Sequence, residues 1–63
     1  MKKSLAEAIE RAKVMSAEHP NQYVWVMDYP RANAAVHASE WAYREKILAG
    51  WHVVKKFLNG QEV

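Results

Sequence analysis

Apolar positions recur along this chain with two different periods. From Ser4 to Glu18, at about 100° per residue, Leu5, Ala8, Ile9, Ala12, Met15 and Ser16 fall in one narrow stripe. Glu7, Glu10, Arg11 and Lys13 lie off it, and Val14 is the one apolar residue on the polar side. The spacing predicts a helix over 4–18 that lies on a core. Ser4 is a candidate N-cap, because Glu7 follows at the capping-box distance. Pro20 forbids continuation and biases His19 out of the helical region.

Residues 22–29 (Gln-Tyr-Val-Trp-Val-Met-Asp-Tyr) are dense in aromatic and β-branched side chains and read as a strand. Alternation puts Tyr23, Trp25, Met27 and Tyr29 on one face and Gln22, Val24, Val26 and Asp28 on the other. Both faces are apolar in the middle, which predicts a central strand. Pro30 to Asn33 reads as a turn.

Two readings of residues 34–38 stand. Alanine content favours one long helix from about 32 to 49. The alternative is a short strand at 34–38, followed by a helix that starts after Ser39, with Glu40 in its first turn and Gly50 just past its end. The strand version is favoured, because an apolar strand at 22–29 needs a neighbour and a hairpin return supplies the nearest one. Within the helix at 40–49, Trp41, Tyr43, Ile47 and Leu48 span one side and Arg44 projects from that arc. The favoured reading is that an arginine there lays its stem on apolar surface and keeps its head in water, and the alternative is a functional arginine.

The stretch 51–58 reads as a final strand. One face carries Trp51, Val53, Lys55 and Phe57, the other His52, Val54, Lys56 and Leu58. A lysine on each face suits a sheet edge. Asn59-Gly60 is a hairpin-turn pair, and only three residues follow, so any returning strand is a stub.

The element order is therefore α-β-β-α-β. The expected fold is a small two-layer α+β domain with a three-stranded antiparallel sheet in order 2-1-3 and both helices on one face. A single domain over 1–63 accounts for the whole chain. The other sheet face would then lack cover. If the valine side packs on the helices, the open face carries Tyr23, Trp25, Met27 and Tyr29. If the aromatic side packs inward, the open face is smaller and aliphatic.

Composition narrows the chemistry. A chain of 63 residues buries only about 60% of its unfolded surface. It has no cysteine, which excludes disulfides and thiolate metal sites. No two of His19, His37 and His52 share the i, i+4 helical spacing of a zinc site, so no metal and no cofactor are expected. With two glycines in all, there is no phosphate-binding glycine loop and no nucleophile elbow. Asp28, His37 and Glu40 are the only acid–base set worth naming, and nothing in their spacing demands catalysis. A chain this short also has little volume for a deep pocket. A non-enzymatic protein with no catalytic residues and no small-molecule substrate is the expectation.

Nine Lys+Arg against seven Asp+Glu leave a net charge of +2, far below the dense positive charge of most nucleic-acid modules. No apolar run approaches the length of a membrane span, and Glu7, Glu10, Arg11 and Lys13 interrupt any leader-like start. A cytoplasmic protein is the simplest expectation. The leading functional expectation is an interaction module that docks a protein partner, or a second copy of itself, through the sheet face of Tyr23, Trp25, Met27 and Tyr29. The alternative is weak nucleic-acid binding, with those rings as a stacking platform and Arg31, Lys55 and Lys56 as phosphate contacts.

Overall fold

The computed structural model describes residues 3–63. Its elements are α1 (Lys3–Glu18), β1 (Tyr23–Asp28), β2 (Val36–Ala38), α2 (Glu40–Leu48), β3 (His52–Leu58) and β4 (Gln61–Glu62). The strands form one antiparallel sheet in the order β2-β1-β3-β4. The expected α+β class, element order and 2-1-3 core of the sheet are present, and the two residues after the turn add a fourth strand. Residues 34–38 resolve in favour of the strand, which is shorter than expected and starts at Val36.

Each junction has a local cause. The Tyr29 carbonyl accepts from the Ala32 amide at 3.0 Å, closing a turn with Pro30 at its second position, where a fixed φ suits it. Asn59 and Gly60 have φ of 52° and 80°, both in the left-handed region that a two-residue hairpin loop requires. Helix α2 ends in a Schellman motif. Gly50 sits at φ 98°, its amide donates to the Ile47 carbonyl at 3.1 Å, and the Trp51 amide donates to the Lys46 carbonyl at 2.9 Å. Ser39 is the N-cap residue of α2 by backbone conformation, but its side chain makes no capping bond. Ser4 lies inside α1 rather than capping it. Its hydroxyl accepts from the Ala35 amide at 3.1 Å and ties α1 to the segment entering β2.

The first core lies between α1 and the sheet. Ala8 and Ala12 of α1 pack on Val24 and Val26 of β1, Phe57 of β3 and Ala35, with Leu5, Ile9 and Met15 closing the sides. Alanines at i, i+4 keep the helix surface flat, so its backbone comes close to the strands. α1 crosses β1, β2 and β3 and reaches β4. At that far end Ser16 is fully buried. Its hydroxyl donates to the Lys13 carbonyl and accepts from the Gly60 amide, both at 2.9 Å. A stripe position that reads as mildly apolar in sequence is in fact a polar latch between α1 and the β3–β4 turn.

The placement of α2 corrects the expectation that both helices share one face. Val24 and Val26 face α1, so Trp25 and Met27 point to the other side of the sheet. Tyr43 of α2 stacks on Trp25 with ring centroids 4.2 Å apart and planes 12° from parallel. The helices therefore flank the sheet, giving three layers rather than two. The handedness of the β2–α2–β3 crossover decides where α2 lands but places no constraint on α1, which enters before the first strand. With apolar residues on both sides of β1, opposite placement buries both.

A second departure lies in β3. Val26 pairs with Lys55 and Met27 with Val53, so Val54 is an extra residue without a partner on β1, a β-bulge. The bulge breaks the strict alternation expected for 51–58. Lys55 lies across from Val26 on the α1 side, while Val53 and Lys56 lie across from Met27 and Trp25 on the α2 side.

The Ser16 latch is testable. Ser16→Ala leaves the Gly60 amide without its acceptor, and a lost buried partner costs about 1–3 kcal/mol. Urea unfolding should show that loss with an unchanged slope. A loss below about 0.5 kcal/mol would mean the hydroxyl is replaceable by solvent.

Candidate interaction surface

Seven residues read from the sequence as a binding face do not form one surface. Met27 is completely buried between Val36 and Val53 and is not available to a ligand. Trp25 is half-buried, with one ring face taken by Tyr43. Tyr29 stacks on Trp51 at 5.6 Å and covers Gly50, where an added Cβ would meet the ring at 3.2 Å. Arg31 is exposed in the β1–β2 turn. Lys55 is on the α1 side and pairs with Glu62 of β4 at 3.0 Å. Only Tyr23, Trp25 and Lys56 come together. Tyr23 is 42% exposed, its ring lies 5.8 Å from Trp25, and the Lys56 ammonium sits 4.0 Å from its centroid.

The expected bare sheet face is thus closed over by α2. Trp25–Tyr43 is one contact and Tyr29–Trp51 extends the same aromatic layer, with the Lys46 ammonium 4.3 Å above the Trp51 ring. A stacked pair of this kind adds about 0.5–1.5 kcal/mol beyond area burial. One such stack, Trp25–Tyr43, and the Lys46 ammonium over Trp51 hold a nine-residue helix that contains no buried residue.

The two most exposed large apolar side chains among the described residues lie on the far side of that helix. The sequence grouped Trp41, Tyr43, Ile47 and Leu48 on one side, but the structure splits them. Tyr43 turns toward Trp25, while Trp41 is 78% and Leu48 89% exposed. Seven residues bring a helix back to within about 20° of its starting direction, so Trp41 and Leu48 share one outward stripe, about 10 Å apart along the axis. Arg44 and Glu45, both exposed, flank that stripe about 50° to either side. Arg44 also makes an i, i+4 ion pair with Glu40 at 3.3 Å, with its guanidinium in solvent.

Trp41 belongs to a second feature. With Tyr23 and Trp25 it walls an open groove of about 330 Å³, whose remaining lining is Asn21, Gln22, Ser39 and Glu40. The groove opens beside the Trp41 end of the stripe. On the other side of the sheet, a depression of about 470 Å³ between α1 and residues 34–37 is lined by Glu7, Arg11 and His37 among others. Glu7 and Arg11 there already pair with each other. Among the described residues no cluster of His, Asp or Glu is arranged to hold a metal ion, and no helix is long and apolar enough to cross a membrane.

Trp41 and Leu48 could have been found from sequence by asking which residues of α2 have an aromatic ring to meet on β1. Tyr43 takes that role, and the wheel then turns Trp41 and Leu48 outward.

The division of α2 into a stacked inner ring and free outer residues predicts different responses to truncation. Tyr43→Ala should destabilise the fold by about 2–4 kcal/mol, since it uncovers Trp25 and removes a stack. Trp41→Ala, at a largely exposed position, should shift stability by no more than about 0.5 kcal/mol. Thermal or urea unfolding of the two variants decides it, and equal losses would show that Trp41 packs against the domain. Compared with known protein families, with curated proteins and with solved structures, the chain matches none.

Proposed function

We propose that this protein is a small non-enzymatic binding module that docks another protein through the outer face of α2. The observation that carries it is the pairing of Trp41 and Leu48 on one solvent-facing stripe of a helix with no buried residue. Leaving a tryptophan and a leucine in water forgoes the stabilisation that burial brings, of the order of 1.5–3 kcal/mol per side chain. Helices that dock into partners present anchors at this i, i+7 spacing, and tryptophan is enriched where interfaces concentrate their energy. The adjoining groove of Tyr23, Trp25 and Trp41 extends the apolar area with polar groups at its rim, as in many protein interfaces.

This moves the docking surface from the sheet face to the helix that covers it. The nucleic-acid alternative loses its main support. Of the three cations expected beside the aromatic face, Lys56 alone is there, and Glu40 places a carboxylate in the groove. The non-enzymatic reading draws on the openness of the groove and on its lack of an activated nucleophile or a convergent acid–base set.

Photocrosslinking in cells that make the full chain tests the proposal. A photoreactive p-benzoylphenylalanine in place of Trp41 should give a covalent protein adduct on irradiation. The same residue in place of the exposed Lys13 on α1 should give none, and Leu48→Glu should abolish the adduct at position 41. No adduct at 41, or equal adducts at both positions, would overturn the reading.

A further inference from the structure

The charges that flank the stripe select its occupant. The geometry points to a second copy of this chain, docked α2 to α2 about a two-fold axis parallel to the helices. This rests on the outer face of α2 being the docking surface, and it identifies the partner.

Two antiparallel copies would set like against like. A two-fold perpendicular to the plane of the two helices leaves Arg44 on the same side in both copies, so arginine faces arginine across the contact and glutamate faces glutamate. A two-fold parallel to the helices does the opposite. It brings Trp41 against Trp41 and Leu48 against Leu48 along the seam. It also exchanges the flanks, so Arg44 of each copy, whose exposed pair with its own Glu40 leaves the rest of the guanidinium in solvent, meets Glu45 of the other at nearly the same height, since adjacent residues differ by only about 1.5 Å along the axis. Both charges lie in solvent at the rim, where complementarity fixes orientation and suppresses wrong pairings more than it adds affinity. The stripe lies opposite Tyr43 and Lys46, which make the inward contacts of the helix, and only its Trp41 end borders the groove beside Tyr23 and Trp25.

The size of the patch sets the strength. Two large side chains and their flanks fall short of the roughly 800 Å² per partner that a stable complex buries, so the pair is weak and concentration-dependent. Its mass action falls in the range from about 10 µM to about 1 mM.

Sedimentation equilibrium of the full chain over that range tests the inference. The average mass should climb from one chain toward two. Trp41→Ala or Leu48→Glu should hold it at one. Arg44→Glu alone, or Glu45→Arg alone, turns both rim pairs repulsive and should weaken association about tenfold. Mixing the two charge variants should restore it, because every rim pair is again opposite in sign. Both positions are exposed, so the fold is retained, which circular dichroism verifies. A mass of one chain throughout, charge variants that associate like the parent, or a mixture that fails to recover would each overturn the parallel pair. Adducts from position 41 that carry only other proteins would also overturn it while leaving the docking face intact, whereas the absence of any adduct removes the face itself.

Discussion

Strand β1 must be covered on both sides, and the rest of the molecule is arranged around that need. Val24 and Val26 face one way and Trp25 and Met27 the other, and all but the half-buried Trp25 are buried. One layer of helix cannot serve two sheet faces. The chain therefore splits its two helices. α1 lies on the valine face through its alanines, and α2 closes the aromatic face by setting Tyr43 on Trp25. The two contacts differ in kind. The α1 side is a close-packed aliphatic layer tied down by the Ser4 and Ser16 hydroxyls. The α2 side is a stack of rings with cationic side chains laid over them, Lys46 on Trp51 and Lys56 on Tyr23.

Much of this architecture is legible in the sequence, and the remainder fails for identifiable reasons. The stripe of α1, the apolar run of β1, Asn59-Gly60 and Gly50 each state their role locally, because the helix period, strand composition and left-handed turn positions are properties of short segments. The side on which each helix lands is a property of the whole sheet. Topology constrains α2 but leaves α1 free, so the shared face was a default rather than a deduction. The bulge at Val54 is equally silent, since an extra residue in a strand has no signature in a run of apolar and basic residues. Its effect is to move Val53 off the face it would share with Lys55 and Phe57 and onto the α2 side, across from Met27. The seven expected site residues do not share one surface, because Tyr23, Trp25, Met27 and Tyr29 follow from alternation along β1 and the cations Arg31, Lys55 and Lys56 from proximity in sequence, and neither signal carries the side that α2 covers.

Helix α2 shows why a helical wheel alone misleads when apolar residues lie all round it. Counting favours the arc that contains Trp41, Tyr43, Ile47 and Leu48. The sheet selects by fit instead. Trp25 offers a flat ring, Tyr43 matches it, and Lys46 on the next turn reaches Trp51. Once those two contacts set the rotation of the helix, Trp41 and Leu48 have nowhere to go but outward. Their exposure follows from the stacking rather than from any shortage of apolar residues. The Schellman ending at Gly50 reinforces it, because the same amide that closes the helix places Trp51 under Lys46.

Nine residues are too few for a helix to hold itself in water, so α2 persists because of what it touches. Inward it has one stacked pair and one cation over a ring. Any contact made by its outer stripe adds to the same small helix and draws on the same ordering, since the residues that face a partner are already held in helical form by Tyr43 and Gly50. Docking on that face, as proposed, would therefore stabilise the cover of Trp25 and Met27 as well as the complex, and loosening the Trp25–Tyr43 stack would weaken docking without touching Trp41 or Leu48. Folding and the proposed association would then be linked through one element. A small domain without disulfides would gain from that arrangement, because the proposed docking surface lies on the back of the helix that completes its own core.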